Sequence, residues 1–374
     1  MNRPAPTIPA ASEEPESLLP TDLAELRPVE RMQRAMRRPS ERFRREAPQV
    51  RREKWAVRLA NAASHLAAWM PAPMRDVIAN FCAWIWVRST PHYRENVIAN
   101  IGQVLGPEVS RAELEAISTQ VFRISAHNFA VALRMRQAAA ARVLREAPAD
   151  PSDLDRYHAA RATGTGTVVV TAHVGAFDLV GLSIGASGTP LTVLTGRTTS
   201  RMLFDAVSWL RAGHNVTVVE PTPAGVKEVI KALRRGEVAG FVSDYDFFQN
   251  GVPVTFFGRE TTLPPGAIRI ARDTGSVVVP MFAYRKDGQH RIFVGETFTV
   301  PRTRDLDADV RAGMATLTAR LEEGIGATPE QWVLFQRAWP TEPVQSTQSS
   351  ATELSLDNGK LNDDGTGAAD PAAG

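Results

Sequence analysis

The chain has 374 residues, with 43 Lys and Arg against 41 Asp and Glu, for a formal net charge of +2. That balance alone names no partner, and Cys82, the single cysteine, excludes an intrachain disulfide and any cysteine-based zinc cluster. The charge is unevenly spread: a basic run from Arg31 to Lys54 faces an acidic tail in which Asp357, Asp363, Asp364 and Asp370 outnumber Lys360.

Residues 1–50 are rich in proline and charge and poor in large apolar side chains, so they are expected to be a disordered basic segment. The Ser, Thr, Gly, Ala and Asp of residues 341–374 predict a disordered acidic tail. Between them, residues 51–340 read as one domain, a helical annex over 51–150 and an α/β core over 151–340. No apolar signal segment follows Met1. The best apolar run, Val77 to Val87, falls short of the ~20 residues needed to cross a bilayer.

In the annex, Trp55, Leu59, Ala62, Leu66 and Trp69 recur at helical spacing, and Pro71 and Pro73 close that helix. A second helix runs through Val87. Its tryptophans, flanked by Arg75 and Arg88, suit an interfacial helix with an aromatic face toward a membrane, and they equally suit a stripe packed on the core. Tyr93 to Leu105 is amphipathic and stops at Gly106-Pro107. Ser110-Arg-Ala-Glu113 is a capping box that opens a helix running to about Phe129 or Leu133. Ala138 to Arg145 continues the helical character, and Pro148, Pro151 and Asp153 mark a junction.

After Tyr157, apolar runs of strand length alternate with helical stretches, which predicts an α/β fold with a mixed, mainly parallel central sheet flanked by helices. The expected strands are Thr167–Ala172, Leu191–Leu194, Val216–Val219, Val238–Ser243, Val277–Ala283 and Ile292–Val294. The expected helices are Asp178–Ile184, Met202–Ala212, Ala224–Arg235 and Pro265–Asp273. Lys286-Asp287-Gly288-Gln289 reads as a hairpin turn, which makes the last two strands antiparallel.

Four clusters fall at strand exits, the edge at which open α/β sheets bind ligands. The first is His173-Val-Gly175-Ala-Phe-Asp178, where a glycine turn would let His173 meet Asp178 and a carboxylate on one ring nitrogen would leave the other free to take a proton. The second is Gly196-Arg197 to Arg201, with Arg211 at the end of the following helix; such arginines are placed to hold phosphate. The third is Asp244-Tyr245-Asp246, two acids suited either to a divalent cation with a nucleotide diphosphate or to supporting His173. The fourth is Phe256-Phe257-Gly258 followed by Pro264-Pro265-Gly266, where a proline-opened helix offers amides to an anion.

In order and spacing these clusters resemble the lysophospholipid acyltransferase superfamily, nearest to the bacterial branch of lipid A lauroyl and myristoyl acyltransferases and phosphatidylinositol mannoside acyltransferases. The resemblance runs from about Trp55 to Trp339, with Arg94-Glu-Asn96 to Asn100 at the front and Glu330-Gln331-Trp332 to Trp339 at the end. It implies that His173 deprotonates a lipid hydroxyl that attacks an acyl thioester, from acyl-CoA or acyl carrier protein, with no bound cofactor and no metal. Asp178 matches the acid of the family's His-x4-Asp/Glu motif and Asp244 a second acid that assists the histidine. Asp246 matches the acid two places on, and Arg197 and Arg211 fall near basic residues that hold phosphate. The helix start after Gly175 would then stabilise the oxyanion. Ala176 and Phe177 stand where the familiar form has Asn and Trp, and Tyr245 stands where it has Arg.

The implied setting is the cytoplasmic face of a bacterial inner membrane, with the protein peripheral on an anionic surface and no nucleic acid expected as partner. Two other readings stand beside it: a metal-dependent glycosyltransferase using Asp244 and Asp246, and a non-catalytic membrane-surface or nucleic-acid-binding adaptor working through the basic front.

Overall fold

The computed structural model describes residues 54–196 and 201–339. The terminal segments expected to be disordered, and Arg197, lie outside the described residues. Six helices form the front: α1 (Lys54–Trp69), α2 (Ala72–Ser89), α3 (Pro91–Leu105), α4 (Arg111–Arg136), α5 (Ala140–Glu146) and α6 (Pro151–Ala162). The core then runs β1 (Thr167–Thr171), α7 (Asp178–Ala186), β2 (Leu191–Leu194), α8 (Arg201–Arg211), β3 (Val216–Val219), α9 (Pro223–Arg234) and β4 (Val238–Val242). It continues through β5 (Val252–Phe256), β6 (Arg259–Leu263), α10 (Gly266–Thr274), β7 (Val277–Lys286), β8 (Gln289–Val294) and α11 (Leu306–Gly326).

Six strands form one sheet in the order β3-β2-β4-β1-β7-β8, all parallel except β8, which pairs antiparallel with β7. This is the mixed, mainly parallel sheet the alternation implied. The β7–β8 turn has Asp287 at φ 51° and Gly288 at φ 79°, the left-handed pair that a two-residue hairpin requires. Strand β1 lies at the centre and is buried along its whole length, which is why it reads as an unbroken β-branched run. Val168 and Val170 face a core built with α9, α10 and α11; Val169 faces the opposite core beneath α7.

The capping box forms as expected, with Ser110 accepting from the Glu113 amide at 3.2 Å. Three elements go beyond the sequence reading. The stretch at Pro151 is a helix, α6, rather than a junction, and its buried Asp153 accepts from Val294 N at 3.0 Å. The cluster around Gly258 is a second, two-stranded sheet, β5–β6, turned through Phe257 at φ 46° and Gly258 at φ 72°. Helix α11 buries Val310, Met314, Leu317, Leu321 and Ile325.

Helices α1 and α2 turn small side chains inward and large apolar ones outward. Small side chains face the protein: Ala56, Ala60 and Ser64 of α1, Ala79 and Ala83 of α2. The outer face carries Trp55, Leu59, Leu66 and Trp69 on α1, and Val77, Ile78, Phe81 and Trp84 on α2; Trp69 is 89% exposed. Trp86 alone of the α2 tryptophans turns inward, edge-on to Phe122 at 5.2 Å. Among the described residues no helix is long and apolar enough to cross a membrane.

Candidate active site

Strands β1 and β4 are adjacent and parallel, with Thr171 opposite Val242. Continuing that register two residues places His173 beside Asp244. Their side chains meet: His173 Nδ1 lies 2.8 Å from Asp244 Oδ1, and the His173 amide donates to Oδ2 at 2.9 Å. Asp244 is fully buried, whereas the His173 side chain is 32% exposed. An ionised carboxylate only accepts, so Nδ1 carries the proton and Nε2 is the nitrogen free to take one. Burial opposes the charge on Asp244, yet the facing His173 ring and three N–H donors outweigh it and hold the carboxyl below its ordinary value. The third donor is the indole N–H of Trp332, 2.8 Å from Oδ2.

Asp178 pairs elsewhere than with His173. The first turn of α7 carries it sideways to Arg211, whose Nε donates to Asp178 Oδ1 at 2.7 Å. The Arg211 guanidinium lies 5.5 Å from the centre of the Phe177 ring, and that ring stands edge-on to His173 at 5.1 Å. The expected His173–Asp178 contact is therefore replaced by two separate pairs, His173–Asp244 and Asp178–Arg211.

The turn between them is held tightly. Gly175 has φ +53°, and a Cβ there would come within 2.0 Å of the Ala283 carbonyl oxygen, so only glycine fits. Its amide donates to Gln331 O at 2.8 Å, the Ala176 amide to Ala283 O at 3.0 Å, and Val333 N donates to His173 O at 2.7 Å. These two amides are thus committed, and neither Gly175 nor Ala176 is left to meet an oxyanion. Asn128 of α4 closes the turn by donating to Gly175 O at 2.6 Å.

Asp246 points away from its neighbour. It accepts from Gly251 N at 2.7 Å, Asn250 N at 3.3 Å and Thr262 Oγ1 at 2.8 Å, tying its own loop to the β5–β6 sheet. Asp244 and Asp246 therefore do not converge as a paired cation site. Gly258 forms the hairpin turn. Pro265 is the residue before α10 rather than its first residue, and Gly266 begins the helix. Helix α10 packs into the core on the opposite face of the sheet from α7.

A cleft enclosing about 520 Å³, solvent at its mouth included, opens beside this turn. Phe177, Asp178 and Arg211 stand at one end, and Ile184, Leu191 and Val216 at the other. Its floor is the β-sheet face of Val169 and Thr171, the same face that ends in His173. Its width comes from Gly181 and Gly240, which put no side chain into it.

The sequence reading did not assign Asn128, Gln331 or Trp332. The signal lay in the terminal Glu330-Gln331-Trp332 segment and in Asn96 and Asn100 of α3. Asn100 Nδ2 donates to Gln336 O at 2.7 Å, Asn100 Oδ1 accepts from Ala338 N at 3.0 Å, and Asn96 Nδ2 donates to Phe335 O at 3.0 Å. The asparagines bind the segment that carries Trp332 across the site.

Residues 45–341 match the model of the family described as bacterial lipid A biosynthesis acyltransferases. The chain belongs to this family. A phosphatidylinositol mannoside acyltransferase of Mycobacterium tuberculosis is 27% identical over 201 residues, covering 52% of this chain and 61% of that protein. A homologue of the same name from Mycolicibacterium smegmatis is 26% identical over 197 residues, 51% of this chain and 62% of that one. A lipid A biosynthesis acyltransferase of Haemophilus influenzae is 24% identical over 189 residues, 48% of this chain and 55% of that protein. The chain thus spans about 60% of the length of the relatives it matches. Members of this family are acyltransferases by description.

Proposed function

We propose that the protein is an O-acyltransferase that moves a fatty acyl chain from acyl-CoA or acyl carrier protein to a hydroxyl of a membrane glycolipid of the lipid A or phosphatidylinositol mannoside kind. The observation that carries this reading is the His173–Asp244 pair: a buried carboxylate on Nδ1 of an imidazole whose side chain is 32% exposed. In the reaction, the acceptor oxygen attacks the thioester carbonyl carbon while its proton passes to His173 Nε2. The tetrahedral intermediate collapses, the carbon–sulfur bond breaks, and the leaving thiolate takes that proton from the imidazolium. Asp244 stabilises the imidazolium between those two steps. No metal enters this sequence.

The apolar cleft lined by Phe177, whose ring meets His173, suits the acyl chain. Arg211, already paired to Asp178, lines the same cleft, where it could meet the phosphates of the donor or acceptor. The outward aromatic and aliphatic side chains of α1 and α2 suit insertion into one leaflet, which supports a peripheral seat on a membrane with the acceptor entering from the side. Phe247 and Phe248, exposed just beyond β4, add apolar surface at the strand-exit edge. Both donors are cytoplasmic, so the face concerned is the cytoplasmic face of the inner membrane.

The test is turnover with each donor on vesicles of extracted glycolipid, followed by lipid mass spectrometry. The reading expects one new ester per thiol released. Thiol release without an ester, or chelator-sensitive turnover of a sugar nucleotide instead, would overturn it.

A further inference from the structure

We infer that Trp332 is a positioning residue of this site, acting on His173 through the carboxylate of Asp244. This rests on the reading of His173 and Asp244 as the working pair and adds a third member to it. The indole Nε1 lies 2.8 Å from Asp244 Oδ2, the oxygen that also accepts the His173 amide, while Oδ1 meets the imidazole. The two oxygens are thereby divided: one holds the ring, and the other is fixed by two N–H donors.

The indole itself cannot easily turn. Trp332 is 1% exposed and stands edge-on to Phe256 at 6.2 Å and to Trp339 at 6.0 Å. Its own amide donates to Pro329 O at 3.0 Å, and the residues on either side of it, Gln331 and Val333, bond the main chain of Gly175 and His173. The Gln331 side chain in turn accepts from Arg285 N at 2.8 Å and donates to Arg285 O at 2.9 Å. One short segment therefore fixes both the turn that presents His173 and the acid that orients it. Removing the indole N–H leaves a buried carboxylate oxygen short of a donor, and Asp244 becomes free to tilt away from the imidazole.

Trp332→Phe keeps the aromatic packing and deletes the donor. The expected result is a fall in kcat of about tenfold to a hundredfold, the loss typical of one hydrogen bond to a charged group, with KM for both substrates unchanged. In an Asp244→Asn background the same change should cost nothing further, because Trp332 has no carboxylate to act on. A merely structural tryptophan would lower the melting temperature and multiply with Asp244→Asn. Full kcat in Trp332→Phe, or a multiplicative double variant, overturns the inference.

His173→Ala separates the two levels. An active His173→Ala variant sinks the reading beneath, whereas an inactive one alongside a fully active Trp332→Phe sinks only the role of Trp332. If Trp332→Phe does not fold, the indole proton resonance of ¹⁵N-tryptophan-labelled protein decides instead. It should move upfield on Asp244→Asn, and an unmoved resonance overturns the inference.

Discussion

At the scale of single residues, the site consists of two acid–base pairs where the spacing of one motif suggested one. Asp178 is five positions from His173 and was the natural candidate for its partner. Asp244, 71 positions away, is the actual one. The reason is geometric: parallel neighbours at equal register bring the residues just past their ends together, and β4 happens to lie beside β1. The sequence offered Asp244 as a second acid that supports His173 beside Asp178, but nothing in it distinguishes β4 from β2 as the neighbour of β1, so it did not show Asp244 meeting the ring in place of Asp178. A prediction follows for the two acids. Asp244→Asn, which removes the charge that faces the imidazolium, should lower kcat by about a hundredfold or more. Asp178→Asn leaves the His173–Asp244 contact in place and loosens Arg211. It should lower kcat by less than about tenfold and act mainly through KM. Steady-state kinetics on both variants checks the order, and equal losses in kcat would return Asp178 to the reacting centre.

At the scale of elements, strands with continuous β-branched runs were legible to within a residue or a few, because burial on both faces demands that composition. Helix α11 was missed although 310, 314, 317, 321 and 325 follow a helical period. Glycines break up its apolar face: a Cβ at Gly324 would sit 2.2 Å from the Phe282 ring, and one at Gly313 would sit 2.6 Å from Ile268. The helix needs glycine where side chains of neighbouring elements press against it, and those neighbours are invisible in a local reading. The same blindness covers β5–β6: β5 alternates half-buried and exposed residues up to the buried Phe256 and carries Pro253, and β6 opens on two exposed residues.

The β7–β8 hairpin makes a separate prediction. His290 pairs in register with Arg285. Desolvation, joined by Arg285 and Arg134, lowers its pKa from 6.5 to about 4. The fold thus holds this histidine neutral. The unfolded chain binds its proton first as pH falls, so stability present above pH 6.5 drains away between there and about pH 4. At ~1.4 kcal/mol per pKa unit the loss amounts to about 3 kcal/mol. Urea unfolding of the wild type and His290→Gln across that window should show the variant losing less stability by about that amount. Parallel curves would place the acid sensitivity elsewhere.

At the scale of the whole molecule, the sheet has a conventional two-sided core, while the annex exposes on α1 and α2 the side chains a soluble helix would bury. The helical spacing of α1 and the tryptophans of α2 left open whether their large apolar side chains faced a membrane or the core. Only the packing of Ala56, Ala60, Ala79 and Ala83 against the protein settles that direction. Because Trp69, Phe81 and Trp84 are exposed, replacing all three with serine should leave the melting temperature unchanged within about 2 °C. It should weaken binding to anionic vesicles at least about a hundredfold, since each side chain contributes roughly 1.5–3 kcal/mol when removed from water. Flotation with vesicles measures this directly, and undiminished binding would move the docking surface away from α1 and α2.

The central claim is that His173, oriented by Asp244, removes the proton of the acceptor hydroxyl. Its most direct test is acyl transfer by purified His173→Ala and wild type on the same vesicles, at matched melting temperature and protein amount. The account predicts that the variant loses about 10²–10⁴-fold in kcat, the usual contribution of a general base, while still binding the vesicles. A His173→Ala protein that forms the lipid ester at the wild-type rate contradicts it.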